Sequence, residues 1–132
     1  MSTRVYLPAT LEALASFVAA GQVGPAPLNA HAVTDELRMQ WAGGSEEEWE
    51  YAALSAAAEA CTAGRRVVLA ADVEGVRRAP DQDSAEVTAV VLDEPLPMRL
   101  VAAVQADLSE ADAQAGEELC WFAVQEIPDL LR

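Results

Sequence analysis

The fold is decided by residues 66–73, which read RVVLAADV. This run is short, rich in apolar and β-branched residues, and interrupted only by Asp72 near its end. A continuous apolar run of this length predicts a strand that is buried on both faces. We therefore expect it to lie inside a sheet that other elements of the chain cover.

Five further segments predict strands, namely residues 4–7, 28–33, 87–92, 100–106 and 119–124. The last is ambiguous, because residues 118–126 suit a helix as well as a strand. We interpret it as a strand, since Gly116 ends the preceding helix and the pair Trp121-Phe122 favours β structure. Residues 75–84 carry Gly, Pro and charged side chains and predict an exposed turn region.

Helices are predicted where a Ser or Thr N-cap precedes apolar residues at helical spacing and a Gly follows them. Four segments fit, at residues 10–21, 34–44, 45–64 and 109–116. The third opens on Ser45 with Glu48 three residues later, which is a capping box, and we expect it to run to about residue 63.

Strand–helix alternation at the start and strand–strand succession later indicate the α+β class. The simplest packing is one mixed sheet of about five or six strands covered by three or four helices. We expect residues 1–132 to form a single globular domain, because a chain of this length suits one hydrophobic core.

Acidic residues dominate the charge of the chain. Twenty-two Asp and Glu stand against eight Arg and no Lys, which gives a formal net charge of −14. This charge repels nucleic-acid phosphates and anionic lipid headgroups, so we expect neither nucleic acid nor membrane as a partner.

Targeting and cysteine patterns predict a cytoplasmic protein. The N-terminus has no apolar signal-peptide core, and no apolar stretch approaches the ~20 residues that a membrane span needs. Cys61 and Cys120 lie among apolar residues, and we interpret them as small hydrophobic side chains rather than a disulfide or metal ligands.

Glu50 is the first candidate for a functional residue. On a helical projection of residues 45–63 it falls on the apolar arc, between Ala57 and Cys61. A carboxylate there needs a partner, because burying an unpaired charge is costly. The functional interpretation is a metal ligand, a general base or an anchor for a cation. The structural alternative is a helix start that overhangs the core, or an ion pair with one of the arginines Arg4, Arg65 and Arg66.

Asp72 and Asp107 are the other candidates, because each ends a predicted strand. If the two strands run parallel, both carboxylates could join Glu50 in a site for a hard cation. The structural alternative is the ordinary use of Asp in turns. No ligand motif surrounds any of the three, so no cofactor is predicted and whether a metal binds is left undecided.

His31 is the only histidine, and a catalytic triad or zinc site would have to depend on it alone. We interpret it as a strand residue. Ser45 and Ser109 are interpreted as helix caps, since no nucleophile-elbow motif surrounds either one, and the chain has no phosphate-binding glycine loop.

Several segments together carry a resemblance: RVYLPAT at residues 4–10, AVT at 32–34, EWEYAAL at 48–54, RRVVLAADV at 65–73 and residues 121–130. They resemble a family of small acidic actinobacterial proteins of unknown function. The resemblance covers most of the chain and implies no activity and no functional residue.

Two functions from different classes stay open, and whether the protein is an enzyme is undecided. The first is a non-enzymatic protein-interaction or regulatory domain, with a protein partner or as a homo-oligomer. It predicts that apolar residues such as Trp41 or Trp121 lie at a contact face. The alternative is a small enzyme or ligand-binding protein whose carboxylate-lined pocket, with or without a divalent metal, holds Glu50 and an Asp. A third hypothesis, an acidic mimic of nucleic acid, predicts carboxylates gathered on one convex surface.

Overall fold

A computed structural model describes residues 2–61, 64–79 and 87–132. The described strands are β1 Thr3–Ala9, β2 Gln22–Val23, β3 Leu28–Ala32, β4 Val67–Val73, β5 Arg77–Arg78, β6 Ala89–Leu92, β7 Leu96–Pro97, β8 Val101–Ala106 and β9 Cys120–Ala123. The described helices are α1 Leu11–Ala20, α2 Asp35–Gln40, α3 Glu46–Glu59, α4 Glu110–Ala115 and α5 Ile127–Leu130. Short 3-10 turns at Met98–Leu100 and Val124–Glu126 precede β8 and α5.

Seven of the described strands form one sheet in the order β5-β6-β3-β1-β4-β8-β9, and β2 pairs with β7 in a separate small sheet. Every pair of neighbours is antiparallel. The predicted buried strand, β4, lies inside the sheet and pairs along its whole length with the central strand β1, from Thr3 opposite Val73 to Ala9 opposite Val67. On its other side it pairs with β8, where the register shifts between Ala70 and Ala71.

One face of the sheet carries the larger hydrophobic core. Alternate residues of β4, including Leu69, point to this face and pack with side chains from α1, α5 and the small β2–β7 sheet. Leu14 of α1, Leu96 of β7 and Ile127 of α5 are all buried there.

The opposite face is covered by α3, which packs mainly against β1, β3 and β4. Its buried residues Ala53, Ala57 and Ala58 meet Tyr6 and the β4 residues of this face. Small side chains on α3 allow the helix to approach the sheet closely, so this core is thin and rich in alanine. The strands β8 and β9 lie beyond the main contact of α3.

The α+β class and the helix caps are confirmed. Thr10, Thr34, Ser45 and Ser109 each accept a hydrogen bond from a first-turn backbone amide, and Ser45 with Glu48 forms the complete capping box. The ambiguous segment contains the predicted strand, as β9, followed by a 3-10 turn.

Other expectations need correction. Within the described ranges the sheet has seven strands rather than five or six, it is antiparallel rather than mixed, and five helices are present rather than three or four. The strands β2, β5 and β7 have two residues each, and such strands are too short to leave a periodic pattern. The predicted turn region contains β5, and α3 ends at Glu59 rather than near residue 63. The ends of these two predictions, at residues 62–63 and 80–84, lie outside the described residues.

A tryptophan pair closes the turn between α2 and α3. The indole Nε1 of Trp49 donates a hydrogen bond to the carbonyl oxygen of Trp41 at 3.0 Å. A Cβ at Gly44 would lie 2.7 Å from that indole nitrogen and 3.0 Å from the Trp41 ring, whereas a Cβ at Gly43 would meet nothing within 4 Å. The turn therefore needs glycine at position 44 and not at position 43.

We expect Gly44→Ala to lower the free energy of unfolding by about 1–3 kcal/mol, because the added methyl group forces the two tryptophans apart. Gly43→Ala is the matched control and should change it by less than about 0.5 kcal/mol. Urea unfolding of the two variants measures both values. Equal destabilisation at the two positions would show that the tryptophan contact does not restrict position 44.

Candidate functional site

The face of the sheet under α3 carries a polar group of four side chains. Arg4 and Tyr6 are two residues apart on β1 and so point to the same face. Arg4 donates two hydrogen bonds to the carboxylate of Asp72 opposite it on β4, at 2.7 and 2.9 Å. The Tyr6 hydroxyl donates to Oε1 of Glu50 on α3 at 2.8 Å. The structure therefore brings Glu50 and Asp72 to one face of the sheet, with each carboxylate held by a different residue of β1.

Hydrogen bonds and burial shift the pKa values of three of these four side chains, Arg4, Tyr6 and Asp72. The hydrogen bond from Arg4 lowers the pKa of Asp72 below its usual value, and the same bond raises the pKa of Arg4. Burial of Tyr6, followed by its hydrogen bond to Glu50, raises the pKa of the phenol. Tyr6 therefore stays protonated at neutral pH and acts as a hydrogen-bond donor to a half-buried carboxylate.

Glu50 lies on the core-facing side of α3 as expected, but its hydrogen-bond donor is a tyrosine rather than one of the three arginines considered. With Tyr6 it lines an open groove of about 340 Å³ that also includes Glu46, Glu47 and Tyr51. The larger part of the exposed surface of this groove is apolar. Neither Asp72 nor Asp107 is among its lining residues, so the expected pocket with Glu50 and an Asp does not form there.

Asp107 lies elsewhere, in a buried ion pair. Its side chain is fully buried and accepts hydrogen bonds from the Arg66 backbone amide, from Nε and from Nη2 at 2.8–2.9 Å. The Nε of Arg65 donates to the backbone oxygen of Asp107 at 2.9 Å, and Arg66 also donates to the carbonyl of Glu117. These contacts fasten the start of β4 to the end of β8 and to the loop that precedes β9.

The condition for a cation site shared by Asp72, Asp107 and Glu50, namely parallel strands, is not met. Because β4 and β8 are antiparallel, with Val67 opposite Ala106, their carboxyl ends lie at opposite ends of the sheet. Asp72 is therefore near one end and Asp107 is near the other. Over the described residues, no group of three or more His, Cys, Asp and Glu is placed to hold a metal ion.

The hydrogen bonds from Arg66 lower the pKa of Asp107 below its usual value, and this shift predicts a pH dependence. A carboxyl group whose folded pKa is depressed stabilises the fold fully above its unfolded pKa of about 3.9, and loses that contribution as the pH falls through the folded value. We expect the destabilisation caused by Asp107→Asn to be constant from pH 7 to about pH 5 and to shrink below about pH 4. Urea unfolding of the wild type and of Asp107→Asn across this range measures the difference in their unfolding free energies. A difference that grows as the pH falls would contradict the lowered pKa of Asp107.

Tyr6→Phe tests the contact between Tyr6 and Glu50. We expect it to lower the free energy of unfolding by about 1–3 kcal/mol, because a half-buried carboxylate loses its hydrogen-bond donor. Tyr51→Phe is the matched control, since the Tyr51 hydroxyl is exposed and lies 3.4 Å from Glu118. Thermal or urea unfolding measures the loss of unfolding free energy in each variant. Similar losses in the two variants would show that the hydrogen bond from Tyr6 to Glu50 does not stabilise the fold.

The remaining polar candidates make contacts within the fold. His31 lies buried on β3 with its Nδ1 2.9 Å from the Thr88 hydroxyl, and Ser45 and Ser109 cap helices. Cys61 and Cys120 are half-buried free thiols, and the Cys61 Sγ lies 3.4 Å from the carbonyl oxygen of Val67.

A second region, which we call the aromatic face, lies where α3 leaves the sheet uncovered. We define it by Tyr51, Gln105, Leu119 and Trp121. Trp121 on the edge strand β9 is 62% exposed and lies opposite Gln105 of β8, so the two side chains point to the same face. Gln105, Leu119 and the 57%-exposed Tyr51 line one cleft of about 340 Å³. Two large aromatic side chains are therefore left in solvent on one side of the molecule.

Trp121 was among the residues expected at a contact face, but Tyr51 was missed. The available signal was its position on the helical projection of α3, where it lies with Glu47, Glu48 and Ser55 on the polar side. A tyrosine among charged residues on the outer side of a helix is predicted to be exposed from the helical period alone.

The fold and its surface define a small α+β protein with a partly covered antiparallel sheet. A family model described as a family of unknown function, DUF6912, matches residues 3–131, and the chain belongs to this family. The resemblance to a family of unknown function is thereby confirmed. No curated protein and no solved structure matches the chain. None of the described helices has the length and apolarity needed to cross a membrane.

Proposed function

We propose that this protein is a protein-interaction domain whose contact surface is the aromatic face. The observation that carries the proposal is the exposure of Tyr51 and Trp121 on the same side of the molecule, beside a cleft. Aromatic side chains with a polar end are the residues that dominate binding energy at protein interfaces, and Trp and Tyr are enriched at their centres. Neither of these two rings is needed to fill the core.

The shape of the cleft supports the same function. Its lining combines half-buried apolar side chains such as Leu54 and Leu119 with exposed charged ones such as Glu59 and Glu118. An apolar centre with a polar margin is the usual arrangement of a protein contact surface. Among the described residues of the lining the one arginine, Arg66, is engaged by Asp107 and by the Glu117 carbonyl, so the remaining charged side chains there are negative.

A display selection of random linear peptides on the immobilised protein tests the proposal. We expect peptides selected on the wild type to lose binding to Trp121→Ala and to keep binding to Trp41→Ala, which removes an exposed tryptophan that does not line the cleft. Trp121→Ala is at an exposed position and should change the free energy of unfolding little. Trp41→Ala keeps the backbone carbonyl oxygen that accepts the hydrogen bond from Trp49. If no selected peptide depends on Trp121, the aromatic face is not a contact surface.

The second candidate function is a ligand-binding protein or small enzyme that uses the groove beside Glu50. The favouring observation is the hydrogen bond of Tyr6 to a half-buried carboxylate at the wall of that groove. A ligand that binds only the folded state raises its thermal stability. Thermal unfolding with and without millimolar Mg²⁺, Mn²⁺ or Ca²⁺ therefore tests the metal form of this hypothesis. A shift that Glu50→Gln abolishes would favour it, and the absence of any shift would leave Glu50 a structural residue.

A further inference from the structure

We propose that the partner of the aromatic face is an extended segment rich in Arg or Lys, which adds to the sheet as a strand beside β9. This inference rests on the proposed function and specifies the occupant. It follows from three features of the surface, namely an edge strand, the direction of its backbone groups and the sign of the surrounding charge.

The edge strand provides the position. Within the part of the chain that the structure describes, β9 is the last strand on its side of the sheet and pairs only with β8. Adding an extended peptide to such an edge is a common mode of peptide recognition, because main-chain hydrogen bonds give affinity and side-chain pockets give specificity.

The backbone of β9 provides the hydrogen-bonding groups. The amide of Ala123 donates to the carboxylate of Glu126 at 2.8 Å, so it points away from β8. Backbone groups alternate in direction along a strand, and therefore the N–H and C=O of Trp121, two residues earlier, point to the same open side. Trp121 therefore carries both the most exposed aromatic ring of the face and the open backbone groups of the edge.

The surrounding charge selects the partner. Exposed carboxylates lie on both sides of β9, at Glu117 and Glu118 before it and at Glu126 after it, and Glu59 borders the cleft. The net charge of −14 adds a long-range field of the same sign. Cationic side chains alternating with apolar ones would meet these carboxylates and the aromatic rings, and such complementarity also speeds the encounter.

The same charges argue against a second copy of this chain as the occupant. Two β9 strands paired side by side would bring together the exposed carboxylates that flank each strand, at Glu117, Glu118 and Glu126. Like charges placed opposite each other destabilise a strand pair. The arrangement therefore favours a partner of opposite charge over a homodimer through this edge.

Three synthetic peptides test the inference by isothermal titration calorimetry. The first alternates arginine and valine, the second replaces each arginine by glutamate, and the third is the arginine peptide with its amides N-methylated along both edges. We expect the arginine peptide to bind and to weaken as salt increases, because screening reduces the attraction. The glutamate and N-methylated peptides should not bind. Trp121→Ala should weaken the arginine peptide about tenfold or more, and Trp41→Ala should leave it unchanged.

Each other outcome overturns a named part of the inference. If the glutamate peptide binds as tightly as the arginine peptide, the partner need not be cationic. If the N-methylated peptide binds as tightly, the partner does not add to the sheet as a strand. No binding by any of the three, or a wild-type dimer in light scattering that Trp121→Ala dissociates, would reject the occupant. Trp121-dependent peptides in the display selection would keep the proposed function even then, whereas their absence would reject the contact surface itself.

Discussion

Arg66→Met is expected to lower the free energy of unfolding by about 3–5 kcal/mol. The substitution removes the two guanidinium hydrogen bonds to Asp107 and leaves a carboxylate whose side chain has no exposed surface. One hydrogen bond, from the backbone amide of residue 66, is all that remains of the three that hold this carboxylate. Urea unfolding at pH 7 measures the loss, which is a large part of the stability of an ordinary small domain.

A second variant keeps this prediction testable if Arg66→Met alone fails to fold. Replacing both partners, in Arg66→Met with Asp107→Leu, removes the unpaired charge and should recover much of the loss. Arg77→Met is the matched control, because Arg77 pairs with Asp93 at the surface and should contribute at most about 1 kcal/mol. If the double variant is no more stable than Arg66→Met, burial of the unpaired Asp107 carboxylate is not the cause of the loss.

Leu69→Ala carries the other large expected effect, a loss of about 3–5 kcal/mol. Leu69 is fully buried at the middle of β4, with β1 on one side and β8 on the other, and faces the larger core. Truncation leaves a cavity that neighbouring strands cannot close without breaking their register. Calorimetric or urea unfolding gives the value.

Leu108→Ala is the matched control for Leu69→Ala, because Leu108 is 59% exposed. We expect this variant to stay within about 0.5 kcal/mol of the wild type. Comparable losses at the two positions would mean that β4 is not the centre of the core, and the layer arrangement described above would have to be revised.

The long elements could be predicted from sequence because each carries a local cause. The apolar run of β4 has no polar face, and the capping box at Ser45 and Glu48 satisfies first-turn amides wherever the helix packs. Strand direction and number are different, since they depend on which segments meet in space. A two-residue strand such as β2 forms only because β7 lies beside it, and its own two residues do not predict that pairing.

The candidate site was predicted unevenly for a related reason. The helical projection placed Glu50 on the inner side of α3 correctly, because that needs only the helical period. Its donor, Tyr6, lies 44 residues away along the chain and became visible only with the sheet. The separation of Asp72 from Asp107 likewise followed from antiparallel pairing, which local patterns do not encode.

The aromatic face shows the same division. Exposure of Trp121 depends on β9 lying at the edge of the sheet and on α3 covering only the strands before β8. The sequence indicates an aromatic strand and an aromatic residue on the outer side of α3, but their position on one face depends on the strand order.

The most direct test of the central claim is a backbone-amide NMR titration of the intact chain with the alternating arginine–valine peptide. We predict that the largest shift changes fall on Trp121 and its neighbours in β8 and β9, with a smaller change at Tyr51, which lines both the cleft and the groove, and none at Tyr6. Changes centred on the groove beside Glu50, or no changes at all, would contradict the claim that the aromatic face is where this protein meets its partner.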